Sequence, residues 1–396
     1  MKKKGWDIKK LGEVCTFING FAFKSSKFTE SGEPIIRISD IQNGMVVDSN
    51  VVYFDIDSYS ENLSKYKVYP NDILIAMSGG TTGKIGINYT NREFYLNQRV
   101  GVFRENNNVL NHMFLFYYLH TKGEDSLKMA AGAAQPNLST AQIKDFDIPI
   151  PTLSEQKEIV EHLDSSFAKI DKLKENATKN LEEAKALFQS ALKDALEPKE
   201  GWEEKTLGEL GNLKNGMNFR KNESGAELHI LGVGDFGNLF SISNTENLPI
   251  ISLNEMPSDD YLLENEDIVF VRSNGNKNLV GRCVLVYPNN IKTSFSGFCI
   301  RFRKNSDKVD AKYLAYFLKA PNTRKKIAGN GANISNLNQK VLQNLAIPFP
   351  SLPEQQSIVS FLDSLNEKLN TLQQNYSRIC DECDALKQAI LRQVFE

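Results

Sequence analysis

What limits this chain most is that its key stretch occurs twice. Pro149-Ile150-Pro151-Thr152-Leu153-Ser154-Glu155-Gln156 returns 199 positions later as Pro348-Phe349-Pro350-Ser351-Leu352-Pro353-Glu354-Gln355. Each copy leads into a long segment with no glycine and no interior proline, which predicts a helix. Thr152 to Glu155 and Ser351 to Glu354 have capping-box spacing, where a hydroxyl and a carboxylate satisfy the free amides of the first turn. Pro353 falls inside that turn, where its missing N–H costs little. Along the first helix Val160, Leu163, Phe167, Ile170, Ala177, Leu181, Ala184, Phe188, Ala191 and Ala195 alternate steps of three and four, with Lys174 in one slot. The second carries Leu365, Leu369, Leu372, Tyr376, Ile379, Cys383, Leu386 and Ile390. A narrow stripe this long predicts a coiled-coil seam. Some 44 residues at 1.5 Å each would make a rod of roughly 65 Å. Two similar helices in one chain are each other's expected partners, antiparallel, with a globular segment at each end. The alternative is two separate helices, each lying on its own domain.

The repeat extends beyond the helices. Trp6-Asp7-Ile8-Lys9-Lys10-Leu11-Gly12-Glu13 returns as Trp202-Glu203-Glu204-Lys205-Thr206-Leu207-Gly208-Glu209. Asn19-Gly20-Phe21 pairs with Asn215-Gly216-Met217, and Ile38-Ser39-Asp40-Ile41 with Val233-Gly234-Asp235-Phe236. Asp72-Ile73-Leu74-Ile75 pairs with Asp267-Ile268-Val269-Phe270, and Gly132, Asn137, Leu138 and Ile143 with Gly331, Asn336, Leu337 and Leu342. Between these anchors the residues differ almost completely. A repeat this large is a duplicated domain, not a solenoid unit. Short β-branched or aromatic runs bounded by Gly, Asn, Pro and Ser predict strands at 35–41, 73–77, 85–89 and 100–103, and at 230–233, 268–272, 281–287 and 298–302. Residues 112–120 and 311–319 read as helices. The expected fold is α+β: two mainly-β domains, 1–151 and 199–350, with long helices 152–198 and 351–396 paired as an antiparallel coiled coil in pseudo-twofold arrangement. By the repeat, the Trp6 segment belongs beside the end of the second helix, as the Trp202 segment belongs beside the end of the first. That would bring the two termini together.

Composition fits a globular protein and places it in a reducing compartment. No run of about 18 apolar residues is present, so no membrane span is expected. The basic N-terminus lacks the apolar core of a signal peptide. Five cysteines with no paired framework fit a cytoplasm. Cys380 and Cys383 form a CxxC, but within a helix, where Cys383 reads as a seam residue. Net charge is −2, yet residues 267–304 hold seven basic groups and a single acid. That stretch is either ordinary surface or a local anion site.

Enzyme signatures fail. Gly83-Lys84-Ile85 resembles the end of a phosphate loop but lacks its first glycine and its final hydroxyl. There is no Asn/Asp-Pro-Pro-aromatic tetrapeptide and no strand–GxGxxG–helix unit. The four histidines have no metal spacing, and Glu203-x-Lys205 lacks a companion acid. Neither a cofactor nor a metal is expected. The remaining candidates are polar loops after strands: Ser78, Thr81, Thr82 and Lys84, set against Arg272, Ser273, Asn274, Asn276 and Lys277. Asn97, Gln98 and Arg99 follow, set against 294–296, and Arg282 lies close by. Such side chains can reach base edges and phosphates; they are also ordinary turn residues.

Taken together, the doubled Pro-x-Pro-x-Leu-x-Glu-Gln lead-in, the long helix after each copy, the Trp-x-x-x-x-Leu-Gly-Glu start and the Asp-Ile-Leu/Val strand resemble the specificity subunit of type I restriction–modification enzymes. The resemblance covers essentially the whole chain. It implies two target recognition domains, each reading one half of a split site on double-stranded DNA, with the helix pair setting the spacing. Catalysis would lie in partners: two methyltransferase subunits using S-adenosylmethionine, and translocating nuclease subunits. Glu155, Gln156, Glu354 and Gln355 would then face partners. The competing readings are an adaptor binding two protein ligands and an autonomous DNA-modifying enzyme.

Overall fold

The computed structural model describes residues 5–130, 137–220, 223–327 and 336–395. Gly132 and Gly331, two of the repeat's anchors, lie outside these. The chain forms two compact units, Met1–Ala177 with Ser377–Glu396, and Thr178–Tyr376. They follow one internal plan. The expected helices run Leu153–Leu196 and Leu352–Phe395, 44 residues each, and each supplies residues to both units.

In the first unit, Cys15–Asn19, Val100–Glu105, Ile73–Ala76, Ile85–Ile87, Gly44–Val46 and Ile41–Gln42 form a sheet in that order. The second unit keeps the order with Gly211–Asn215, Cys299–Lys304, Asp267–Val271, Cys283–Val286 and Ser241–Ile242. The central strand is buried on both faces, and its side chains alternate between two cores. Ile73 and Ile75 join the core that holds the helices, while Leu74 and Ala76 join the opposite one. Ile268 and Phe270, then Val269 and Val271, do the same. This period of two follows from the pleat. The expected strand over 35–41 is broken: Glu33–Ile36 belongs to a second sheet, then a 3₁₀ turn at Ile38–Asp40 changes direction. The Asp40 carboxylate forces that turn by accepting the Arg37 N–H at 2.8 Å.

Two of the repeated motifs prove to be partners. Asp7–Lys10 pairs antiparallel with Asp147–Ile150, and Glu203–Thr206 pairs likewise with Ala346–Phe349. The start of each globular segment is thereby stitched to the strand leading into its helix. The capping boxes form as expected: Thr152 N–H donates to Glu155 at 2.9 Å, and Ser351 N–H to Glu354 at 3.2 Å.

The next residue of each motif does something unforeseen. Gln156 and Gln355 are completely buried. Gln156 accepts from Asn111 N–H at 2.7 Å and donates to the carbonyls of Val109 and Pro151, both at 2.9 Å. Gln355 accepts from Asp310 N–H at 2.8 Å and donates to Lys308 at 3.2 Å and Pro350 at 2.9 Å. These amides are spent inside the protein, on the turn preceding the globular segment's own helix. They do not face solvent, which corrects the partner-facing placement that the resemblance implied.

The long helices pair antiparallel inside each unit. In the first, Lys174 meets Asp384 at 2.8 Å and Lys387 meets Asp171 at 2.5 Å, so the partner number falls as the helix climbs. In the second, Thr178 and Tyr376 share a hydroxyl hydrogen bond of 2.7 Å. The seam holds Leu163, Ile170, Leu181 and Cys383 buried. It departs from expectation at Leu386, which is 48% exposed. Lys387 takes that slot, its ammonium 5.4 Å from the Phe167 ring centre. A four-residue step after Cys383 permits this, because lysine can bury its stem and keep its charge on Asp171.

The far end of each helix packs where the repeat placed it. Leu192 and Leu196 enter the second unit's core beside Leu207 and Tyr316. Leu391 enters the first unit's core, and Phe395 stacks edge-on against Phe114 at 5.0 Å. Gln156→Ala leaves two carbonyls and one N–H buried without partners, each worth about 1–3 kcal/mol. It should destabilise the first unit by at least about 2 kcal/mol, read by chemical denaturation, with Gln355→Ala doing the same to the second.

Candidate functional site

In both units one end of the central strand gathers several loops. Leaving Ile73–Ala76, the chain makes a 3₁₀ turn at Gly79–Thr81 and returns through Gly83. Leaving Asp267–Val271, it makes a 3₁₀ turn at Lys277–Leu279 and returns through Gly281. Both glycines have left-handed φ, +83° and +75°, and each N–H donates at 2.8 Å to the strand, at Ala76 and Val271. This geometry fixes the correspondence. Ser78 matches Ser273, each bridged to an asparagine, Asn137 or Asn336. Lys84 matches Arg282, because the second loop is three residues longer between its serine and its glycine. A second loop docks tightly on the first group: a Cβ on Gly20 would lie 2.1 Å from the Asn97 carbonyl, and one on Gly216 would lie 2.0 Å from that of Ser296. The Asn-Gly anchor of the repeat is a close backbone approach.

The candidate residues sort by exposure. Lys84, Gln98, Arg99, Asn276 and Lys277 are exposed at this end. Thr81, Asn97, Arg272, Ser273, Asn274 and Arg282 are half-buried. Ser78 and Thr82 are buried, and the Thr82 hydroxyl donates to Gly79 at 2.7 Å. Asn276 caps its own turn, accepting from Asn278 N–H at 3.1 Å. Arg272 reaches the Gly297 carbonyl at 3.4 Å. Sequence reasoning missed Phe298. It stands where the first unit has Arg99: Met77 N–H donates to the Arg99 carbonyl and Arg272 N–H to that of Phe298, both at 2.8 Å. Phe298 is 60% exposed. One backbone turn thus presents a guanidinium in one unit and a bare phenyl ring in the other.

The basic stretch at 267–304 divides in two. Arg303 forms a two-pronged pair with buried Asp267, at 2.9 and 2.7 Å, and Arg104 does the same with Asp72, at 3.3 and 3.0 Å. The Asp-Ile anchor of the repeat is this pair. Lys304 binds Glu266 at 2.7 Å, and Arg301 is buried. Only Arg272, Lys277 and Arg282 belong to the loop end. Among the described residues no group of His, Cys, Asp or Glu is placed to hold a metal ion, and no helix is long and apolar enough to cross a membrane.

A family model for the type I restriction modification DNA specificity domain matches twice, at residues 3–183 and 199–379. The chain belongs to this family. It is 28% identical to the type I restriction enzyme StySPI specificity subunit of Salmonella potsdam, over 99% of this chain and 89% of that one. Against the EcoKI specificity subunit of Escherichia coli K12 the figure is 25%, over the same shares. A chain in a solved structure of a type I R-M system shares its fold, with a TM-score of 0.75 at 20% identity over 98% of this chain and 97% of that one. The HsdS subunit from Thermoanaerobacter tengcongensis gives 0.58 at 21%, over 99% and 97%. The chain is thus built from two DNA specificity domains and a pair of long helices, as the duplicated frame implied.

The Asp267–Arg303 pair belongs to the frame, so losing it should cost stability. Removing one partner of a buried pair strands the other's charge, at about 3–5 kcal/mol. Asp267→Ala should lower the denaturation midpoint of the second unit accordingly, and Lys277→Ala should leave it unchanged.

Proposed function

We propose that this chain is the non-catalytic recognition subunit of a cytoplasmic type I restriction–modification complex, in which each unit reads one half of an asymmetric bipartite site on double-stranded DNA. The observation that carries this is one frame built twice with different chemistry at one loop end: Lys84, Gln98 and Arg99 against Arg282, Gly297 and Phe298. Two different sets of polar and apolar groups on one scaffold suit two different short sequences. The blocks 1–151 and 199–350 would be the recognition domains, with helices 152–198 and 351–396 setting the separation of the half-sites.

Methylation and cleavage fall to partners in this reading: two methyltransferase subunits and nuclease subunits. Support comes from the helices' outer faces, where Leu173, Leu187, Phe361 and Leu386 are 57, 70, 51 and 48% exposed. Protein partners would cover these side chains. Glu155 and Glu354, exposed at the head of each helix, belong to the same surface. An adaptor for two protein ligands would not need guanidinium and amide groups concentrated at loop tips.

Mapping the methylated motif of the complex assembled with its methyltransferase subunits tests the reading. Arg99→Ala should relax one position of one half-site, since a good base contact gives about 1–3 kcal/mol of discrimination. Lys277→Ala should weaken binding to all sequences alike. One heptad inserted after both Ala177 and Tyr376 adds roughly 10 Å of helix. At 3.4 Å per base pair, the spacer should widen by about three base pairs while both half-sites persist. An unchanged motif in the Arg99 and heptad variants, together with undiminished affinity in Lys277→Ala, would refute the proposal.

A further inference from the structure

The second unit contains a cavity of about 450 Å³ whose walls carry three cations, Arg282, Lys319 and Arg324. Apolar and aromatic side chains complete it, among them Phe188, Phe236 and Tyr316. Among the described residues, none of the three cations has a carboxylate partner, and no acid lines the cavity. Lys319 Nζ donates to the carbonyls of Leu239 and Cys283, both at 2.8 Å, which leaves one proton uncommitted. Arg324 Nη2 donates to Val280 at 3.2 Å, but its Nη1 is buried with no acceptor. Arg282 holds only the Gly237 carbonyl, at 3.4 Å. Burial pushes both the Lys319 and Arg324 pKa values down, and the neighbouring cations add to that. Three like charges converging without a counter-ion cost free energy unless an anion joins them.

We infer that this cavity binds a phosphate group, held by the guanidinium groups of Arg324 and Arg282 and the free Lys319 proton. A compact, multiply accepting anion suits donors that converge from a loop and two helices. Among the described residues the first unit has no such site. Lys319 corresponds there to His120, whose pKa burial pushes down to about 4, so it is neutral. Arg324 and Ile327 pack on Gly281 where Gly123 and Ser126 pack on Gly83, so a glycine stands in the place of the Arg324 guanidinium. The two units would therefore be anchored unequally.

The phosphate could belong to the DNA backbone or be free in solution; the first source rests on the function proposed above and the second does not. Two measurements separate them. In the first, the chain alone is melted in inorganic phosphate and in chloride at equal ionic strength. Wild type should gain stability in phosphate. Arg324→Gln and Lys319→Met should lose that gain, Arg324→Lys should keep part of it, and Lys84→Gln in the first unit should keep all of it. Folding is not at risk in Arg324→Gln, because it removes an uncompensated charge and should raise the melting temperature in chloride. In the second, DNA affinity of the assembled complex is measured against salt. If the DNA backbone supplies the phosphate, Arg324→Gln should reduce the log–log slope by about one, with the motif unchanged. A lost phosphate response with an unchanged slope would support the site with free phosphate as its ligand. A reduced slope alone would support a phosphate held only within the duplex. Wild-type behaviour of both variants in both measurements would overturn the inference. Failure of the wild-type complex to bind DNA would instead sink the proposed function, and the first measurement would still decide this one.

Discussion

A buried amide, placed twice, ties the frame of this protein together. Gln156 and Gln355 each make three side-chain hydrogen bonds, to the turn before a globular helix and to the proline two residues before a long one. A buried amide is tolerated only when its donors and acceptors are met, so each glutamine allows one relation between its long helix and the segment it carries. Nearby, Tyr117 donates to Asp164 and Tyr316 to Asp363, a second tie at the same place in each unit. With the helix heads fixed in this way, apolar packing along the seam need supply no precise orientation.

The frame was largely legible in the sequence because it rests on periodicity and repetition. Helix lengths, capping boxes, central strands and the packing of each helix end all followed from residues recurring at one offset. What stayed hidden depended on contacts across long separations. Gln156 reads as a surface motif residue until its partners Val109 and Asn111, 47 and 45 positions upstream, are seen to surround it. Leu386 lost its place in the seam to Lys387, because adjacent apolar and amphipathic residues make steps of three and four equivalent on paper. The loop correspondence shifted because a length difference between Ser273 and Gly281 cannot be located without the two left-handed glycines that bracket it.

Charge shows the same division. The most basic stretch of the chain looked uniform, yet it serves two purposes at opposite ends of its strands. Arg303 and Lys304 hold acids of the frame, and the Arg303–Asp267 pair recurs in the first unit as Arg104 with Asp72. Arg272, Lys277 and Arg282 do not recur: Met77 stands for Arg272, and Lys84 for Arg282. A pattern common to both units marks architecture, while one confined to a single unit marks what that unit does. Phe298 and Arg99 are such a difference in side chain on one shared backbone turn, which makes them candidates for function.

The central claim is that recognition resides in interchangeable segments carried by a common frame. The most direct measurement replaces residues 199–350 with a copy of residues 1–150 and maps the sequence methylated by the complex built on that chimaera. The account predicts a symmetric site, with the first half-site present twice in inverted orientation. The parental asymmetric motif, or a motif sharing neither half, would contradict it.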